Sequence, residues 1–265
     1  MTGFVITSPP KPRCNHPAGR SQVVSSGAGD ARFPRASPDP RYRTSVRPIQ
    51  YSWTHRHVVK RKVRPVDTNA DQTPLVVELS ATEFRDRLHE ALSIYVAAMG
   101  YPHGTEYHRA PMWNEHLQRS GWRGVGALVP AGDGSTDNAA ARLVAVAYGY
   151  RGAPEQWWHQ QVRSGLRHTG WTRDQIDVIL GNYFELTELH VHPDAQGHRL
   201  GETLLLRLLE RRPERGVLLS TPEVADEDNR AWRLYRRLGF RDVLRHFRFA
   251  GDNRPFAVLG RGLPL

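Results

Sequence analysis

The sequence predicts an α/β fold in which about seven strands form one central sheet flanked by helices, behind a disordered N-terminal extension. Three observations predict it. The stretch Glu185 to Arg212 changes apolar period in its middle, so that a strand hands over to a helix through one short loop. From Leu75 onward, short apolar runs alternate with segments of helical period. Near residue 73 the composition breaks from Pro, Ser, Gly and Arg to an ordinary globular mixture, dividing the chain into an extension, 1–73, and one folded domain, 74–265.

The extension carries the charge. The formal net charge of the chain is +10. Residues 1–65 hold 13 Lys and Arg against 2 Asp and Glu, a net of +11, and the rest of the chain holds 24 against 25, a net of −1. The basic balance thus says nothing about the partners of the folded domain. With SPPKPR, SSGAGD and RASPDPRYR and no sustained apolar period, the tail cannot bury enough surface to offset the entropy of ordering it. Its basic run His55 to Arg64 leaves two readings open, a solvated linker or a contact with nucleic acid or another anionic surface. No apolar core of a secretory signal follows Met1 and no window is long enough to span a membrane, so a cytoplasmic protein is expected. The single cysteine, Cys14, lies in the tail, which excludes an internal disulfide and argues against a catalytic thiol.

The folded domain opens with a strand at Leu75 to Leu79, after which Ser80 and Glu83 form a capping box for a helix ending near Gly100. Its apolar face is Phe84, Leu88, Leu92, Tyr95 and Val96. A second helix is expected from about Ala110 to Arg119. Strands follow at Gly124 to Val129 and Arg142 to Tyr150, joined by an exposed Gly- and Asp-rich loop. Two helices, Pro154 to Leu166 and Arg173 to Leu180, then interrupt the sheet. The fourth strand is Tyr183 to His192, and Pro193 closes it. Leu204, Leu205, Leu208 and Leu209 lie at helical spacing, with Glu202 in the first turn and Arg207, Arg211 and Arg212 toward the end, as the helix dipole favours. A fifth strand at Val217 to Thr221 leads to a helix capped by Asn229 and ended by Gly239, and strands Arg241 to Phe249 and Phe256 to Arg261 complete the chain.

The junction at Asp194 to Arg199 carries the first chemical clue. A strand running into a helix start presents unpaired amides in a positive dipole field, a natural seat for phosphate. The loop lacks the Lys-Ser/Thr of a P-loop and the GxGxxG of a dinucleotide fingerprint. It resembles instead the acyl-CoA loop of the GCN5-related N-acetyltransferases (GNAT), Gln/Arg-x-x-Gly-x-Gly/Ala, filled here by Gln196, Gly197, His198, Arg199, Leu200 and Gly201. Arg199 stands where that family usually has its first motif glycine. Downstream, NRAWRLYRRLGF from Asn229 to Phe240 resembles the family's second motif, Asn-x-x-Ala-x-x-x-Tyr-x-x-x-Gly-Phe.

The resemblance implies the GNAT fold, with a mixed central sheet, and transfer of an acetyl group from acetyl-CoA, as co-substrate, directly to a primary amine. It further implies that the fourth and fifth strands splay and that main-chain groups of Leu189, His190 and Val191 hold the pantetheine arm and thioester. The amides from Gln196 to Glu202 would hold the pyrophosphate and Asn229 would contact the arm. Tyr235 would be the general acid, with Glu188, and second Glu185, as candidate bases. Three residues apart on a regular strand, these two carboxylates would face opposite ways unless a bulge intervenes, so one is expected to face solvent or a salt bridge.

The acceptor stays open between a protein lysine, a peptide N-terminus, an amino sugar and a polyamine. Tyr101, Tyr107, His108 and Trp113 are candidates for acceptor contacts, or for core and lid packing; Trp157, Trp158 and Trp171 are read as structural. His190, His192 and His198 lack the spacing of a known metal site, so no metal is expected. The partners implied are acetyl-CoA and an amine, with any nucleic acid confined to the tail and a homodimer left open. The alternative reading is a non-catalytic acyl-CoA-binding regulatory module whose tail binds nucleic acid.

Overall fold

The computed structural model describes residues 73–130 and 141–265; the expected extension, 1–73, lies outside the described residues except for Thr73. Strand β1 (Leu75–Leu79) ends at Ser80, which caps α1 (Ala81–Asp86). The predicted capping box forms: Glu83 N donates to Ser80 Oγ at 3.2 Å and Ser80 N to the Glu83 carboxylate at 2.8 Å. The one long helix expected here is two. Arg87 leaves helical geometry (φ −96°, ψ 11°) and α2 (Leu88–Met99) starts beyond it. Its guanidinium donates to Glu90 and to the Ala141 carbonyl, fixing the break to the chain ahead of the third strand.

Gly100, at φ 65°, closes α2 in the left-handed turn that glycine adopts without cost. Helix α3 (Thr105–His116) begins earlier than the apolar pattern predicts, because the Glu106 carboxylate accepts from the Gly104 amide at 2.9 Å and the Thr105 hydroxyl donates to Pro102 O. Next come β2 (Arg123–Val129), β3 (Arg142–Arg151), α4 (Trp157–His168) and α5 (Arg173–Leu180). Helix α4 starts after Gln156, whose side chain is spent on Ala153 N and Arg151 O. The remaining elements are β4 (Tyr183–Val191), α6 (Leu200–Leu209), β5 (Gly216–Pro222), α7 (Arg230–Arg237), β6 (Arg241–Phe247) and β7 (Phe256–Gly262). Strand β6 ends at Phe247, two residues short of the predicted Phe249, and its penultimate residue, His246, already takes φ 53°.

All strands join one seven-stranded sheet in the order β1-β2-β3-β4-β5-β7-β6. Every pair is antiparallel except β4 with β5, so the sheet is mixed as expected. Leu204, Leu205 and Leu208 of α6 and Trp232 and Leu234 of α7 pack over Phe184, Leu189, Val217 and Leu219 on one face. On the other face, Phe84, Tyr95 and Trp113 of α1 to α3 cover Tyr148 and Tyr150, and Trp158 and Ile176 of α4 and α5 cover Tyr183 and Leu218. No helix among the described residues is long and apolar enough to cross a membrane.

Candidate active site

The sheet opens where β4 meets β5. Their parallel pairing covers three positions, Tyr183, Phe184 and Glu185 against Gly216, Val217 and Leu218, although β4 runs on to Val191 and β5 to Pro222. Past Glu185 the strands part, and the β4 edge facing the gap has no ladder partner. Which groups face it follows from the other edge. His192 N donates to Val144 O at 2.9 Å, and antiparallel positions alternate between bonded and non-bonded pairs. The main chain of His190 is therefore bound to Val146 of β3, whereas Leu189 and Val191 direct theirs into the gap. Of the three residues expected to offer main-chain contacts there, His190 is turned away.

A β-bulge sits in the middle of β4. Tyr148 pairs with Glu188 and Gly149 with Leu186, which leaves Thr187 without a partner. Glycine is required opposite it: a Cβ on Gly149 would lie 2.2 Å from the Glu185 carbonyl oxygen and 2.6 Å from the Phe184 ring. The extra residue resets the alternation, so Leu186 and Leu189 both join the core beneath α6, and Glu185 and Glu188 both point to the opposite face. The two carboxylates therefore do not face opposite ways and neither faces solvent: both are buried on one face, with Glu188 at ion-pair distance from His190.

That face carries a strip of buried polar side chains. Glu188 pairs with His190 Nε2 at 2.7 Å, and the Tyr150 hydroxyl donates to Glu185 at 3.2 Å. His116 shares a 3.0 Å hydrogen bond with Tyr148, and His159 one of 3.2 Å with Tyr183. Tyr95 meets the His190 ring edge-on and Trp113 stacks parallel to it, while the Arg109 guanidinium donates to the Tyr95 hydroxyl. Burial carries the Glu185 carboxyl up to about 7, opposed by the charge of Arg119 and the Tyr150 bond and assisted by the charge of Glu188. Burial also raises Glu188, against the bond and charge of His190 and the charge of Arg109. The Trp113 indole N–H lies within electrostatic reach of Glu188 but makes no hydrogen bond of ordinary geometry. Each carboxylate keeps one buried oxygen without a hydrogen bond among the described residues, Oε2 of Glu185 and Oε1 of Glu188. Native interiors rarely leave such acceptors unmade.

Tyr235 enters from the opposite face. It is buried on α7, its ring is 5.6 Å from that of Phe240, and its hydroxyl has no hydrogen-bond partner among the described residues. Burial, and then the charge of Glu188, push its pKa well above the ordinary phenol, so the hydroxyl keeps its proton at every physiological pH. Asn229 caps α7 as predicted, accepting from Trp232 N at 2.9 Å through Oδ1. Its spacing departs from the motif it resembles: Ala231 follows by two positions rather than three.

At the start of α6 the loop adopts a succession of left-handed residues, Gly197 at φ 103° and Arg199 at φ 55°. The missing motif glycine is explained, since Arg199 adopts the conformation that glycine would take freely and bears its strain. Two amides of the predicted set are spent internally, Gln196 N on Pro193 O and Glu202 N on Arg199 O. Those of Gly197, His198, Arg199, Leu200 and Gly201 have no main-chain acceptor among the described residues, and successive free amides of this kind form an anion nest.

Sequence reasoning missed Tyr148, Tyr150, His116 and His159, although Tyr148 and Tyr150 stand two apart on one strand and so share a face. Among the expected acceptor contacts, Trp113 is core, Tyr107 is 71 % exposed, and the Tyr101 hydroxyl accepts from Arg254 at 3.1 Å. Trp158 is buried with its indole donating to Ser220, and Trp157 packs on Phe249, as structural roles require.

Residues 165–240 match the sequence model of the acetyltransferase (GNAT) family. A GCN5-like protein acetyltransferase of Mycobacterium tuberculosis is 53 % identical over 202 residues, spanning 72 % of this chain and 98 % of that protein. Among solved structures, a GNAT-family protein of Desulfovibrio desulfuricans aligns at 13 % identity and a TM-score of 0.48, covering 72 % of this chain and 99 % of its own. Arabidopsis thaliana NAA60 in complex with acetyl-CoA aligns at 15 % identity and a TM-score of 0.48, with the same coverage.

Proposed function

This chain belongs to the GNAT family of acetyltransferases, and on that premise we propose that it moves the acetyl group of acetyl-CoA directly onto a primary amine of a protein, a lysine side chain. The observation that carries the reading is the gap past Glu185, bordered by the main-chain edge of Leu189 and Val191, which has no ladder partner among the described residues, with Glu188 and the Tyr235 hydroxyl each bearing a polar atom that has no partner there. In this reading Leu189 and Val191 hold the pantetheine arm and thioester as an added strand would be held. The free amides of Gly197 to Gly201 bind the pyrophosphate, and Asn229 lines the arm.

Transfer requires a neutral amine, a polarised carbonyl and a protonated leaving group. The amine nitrogen forms the new C–N bond at the thioester carbon while the C–S bond breaks. Glu188 takes the proton shed by the amine nitrogen, and its raised pKa brings it nearer to the amine it must deprotonate than an ordinary carboxylate would be. His190, bonded to the other oxygen, fixes its orientation. Tyr235 gives its proton to the departing sulfur. A protein acceptor is favoured by the relative at 53 % identity, described as a protein acetyltransferase.

The test is calorimetric titration of the full chain with acetyl-CoA, followed by thiol release with lysine peptides and with small amines. Micromolar binding and release that depends on the lysine peptide is the expected result. Release with polyamines or amino sugars alone would overturn the protein acceptor. Binding without release from any amine would favour an acyl-CoA-binding regulatory module.

A further inference from the structure

Helix α7 carries four arginines, and they are not equivalent. Arg233 pairs with Asp228, Arg236 with Glu227 and Asp242, and Arg237 with Glu202. Arg230, the first residue of the helix and exposed, has no carboxylate partner among the described residues; its Nη1 donates to a neutral acceptor, Gln196 Oε1, at 2.5 Å. The other end of the same amide donates from Nε2 to Val191 O at 3.2 Å. Gln196 thus spans the mouth of the gap, from the free edge of β4 to the start of α7. It holds an uncompensated cation beside the loop whose amides are unspent.

A guanidinium bound to a neutral amide gains less than one bound to a phosphate, where two N–H groups match two anionic oxygens. Holding it in place beforehand also lowers the ordering cost of the exchange. We propose that Arg230 is a donor-binding residue, which leaves the Gln196 amide for the pyrophosphate of acyl-CoA as the donor enters. The inference rests on the transferase reading of the gap and adds to it a side-chain cation from the start of α7.

The experiment titrates the full chain and its Arg230→Ala and Arg230→Lys variants with CoA and with 3′-dephospho-CoA, and measures turnover with S-acetylpantetheine, which has no phosphate. Arg230→Ala should weaken CoA and dephospho-CoA alike by about tenfold or more, the scale of one charge-assisted bond. The lysine variant should recover part of the loss, and turnover with S-acetylpantetheine should be unchanged. Equal CoA affinity in the parent and the alanine variant would overturn the proposal. So would a loss seen with CoA but not dephospho-CoA, which would move the contact to the 3′-phosphate, or an equal loss of turnover with S-acetylpantetheine, which would mean a damaged gap. If the parent chain bound no CoA while remaining folded, the donor site itself would fall, and the role of Arg230 with it.

Discussion

Glu185 should cost the protein stability in neutral solution, and replacing it by glutamine should return that stability. Burial carries its carboxyl from an ordinary 4.5 to about 7. The unfolded chain therefore loses the proton near 4.5, while the folded chain keeps it until about 7. The stability tied to this group is complete below the unfolded value and is lost as pH rises through the folded one. At about 1.4 kcal/mol for each unit of separation, the loss by pH 8 is about 3 kcal/mol. Glutamine resembles the protonated acid, can still accept the Tyr150 bond and has no proton to lose. Urea unfolding of parent and Glu185→Gln chains at pH 5 and pH 8 reads the effect. The variant should exceed the parent by less than about 1 kcal/mol at pH 5 and by about 3 kcal/mol at pH 8, the latter a gain of about 5 to 10 °C in melting temperature. A difference that does not change with pH, or a variant weaker than the parent at pH 8, would refute a neutral buried Glu185. The carboxylate would then be held as an ion by Arg119, the cation that opposes its rise.

Three further outcomes are expected. Gly149→Ala places a Cβ against the Glu185 carbonyl and the Phe184 ring, and as neither can yield without breaking the β3–β4 ladder, it should destabilise the fold by about 3 kcal/mol in urea unfolding. Arg199→Gly relieves the left-handed strain at φ 55° at some cost in unfolded-chain entropy, and should stabilise by about 0.5 to 1 kcal/mol in thermal unfolding. Glu188→Gln should slow kcat/KM and abolish its acid limb, which in the parent should lie above the ordinary carboxylate range because burial raises Glu188; an unchanged profile would remove Glu188 as the base.

Much of the frame was legible from local chemistry. The capping box at Ser80 and Glu83, the helix cap at Asn229 and the change of period after Pro193 each depend on residues within a few positions of one another, and all stand where the sequence places them. The break at Arg87 was not, because it depends on a bond to Ala141, 54 residues away. The candidate site divides the same way. The two motifs reveal Tyr235 and the loop at Gln196 to Gly201, but the arrangement of the carboxylates depends on an unpaired Thr187, whose place is set by Gly149 on the neighbouring strand. Alternation alone sends Glu185 and Glu188 to opposite faces, and only the pairing of β3 with β4 shows that they share one. The left-handed turn at Arg199 was hidden in a similar way, since the residue type that usually signals it is absent.

The proposed transfer depends most directly on the proton of Tyr235, and one measurement tests it: single-turnover acetyl transfer by Tyr235→Phe beside its affinity for CoA. The phenyl ring preserves the packing against Phe240 and removes only the unpartnered hydroxyl. Transfer slowed by about 10² to 10⁴ with CoA affinity unchanged is the predicted result. Transfer at the parent rate would contradict it and leave the departing sulfur to be protonated by another group.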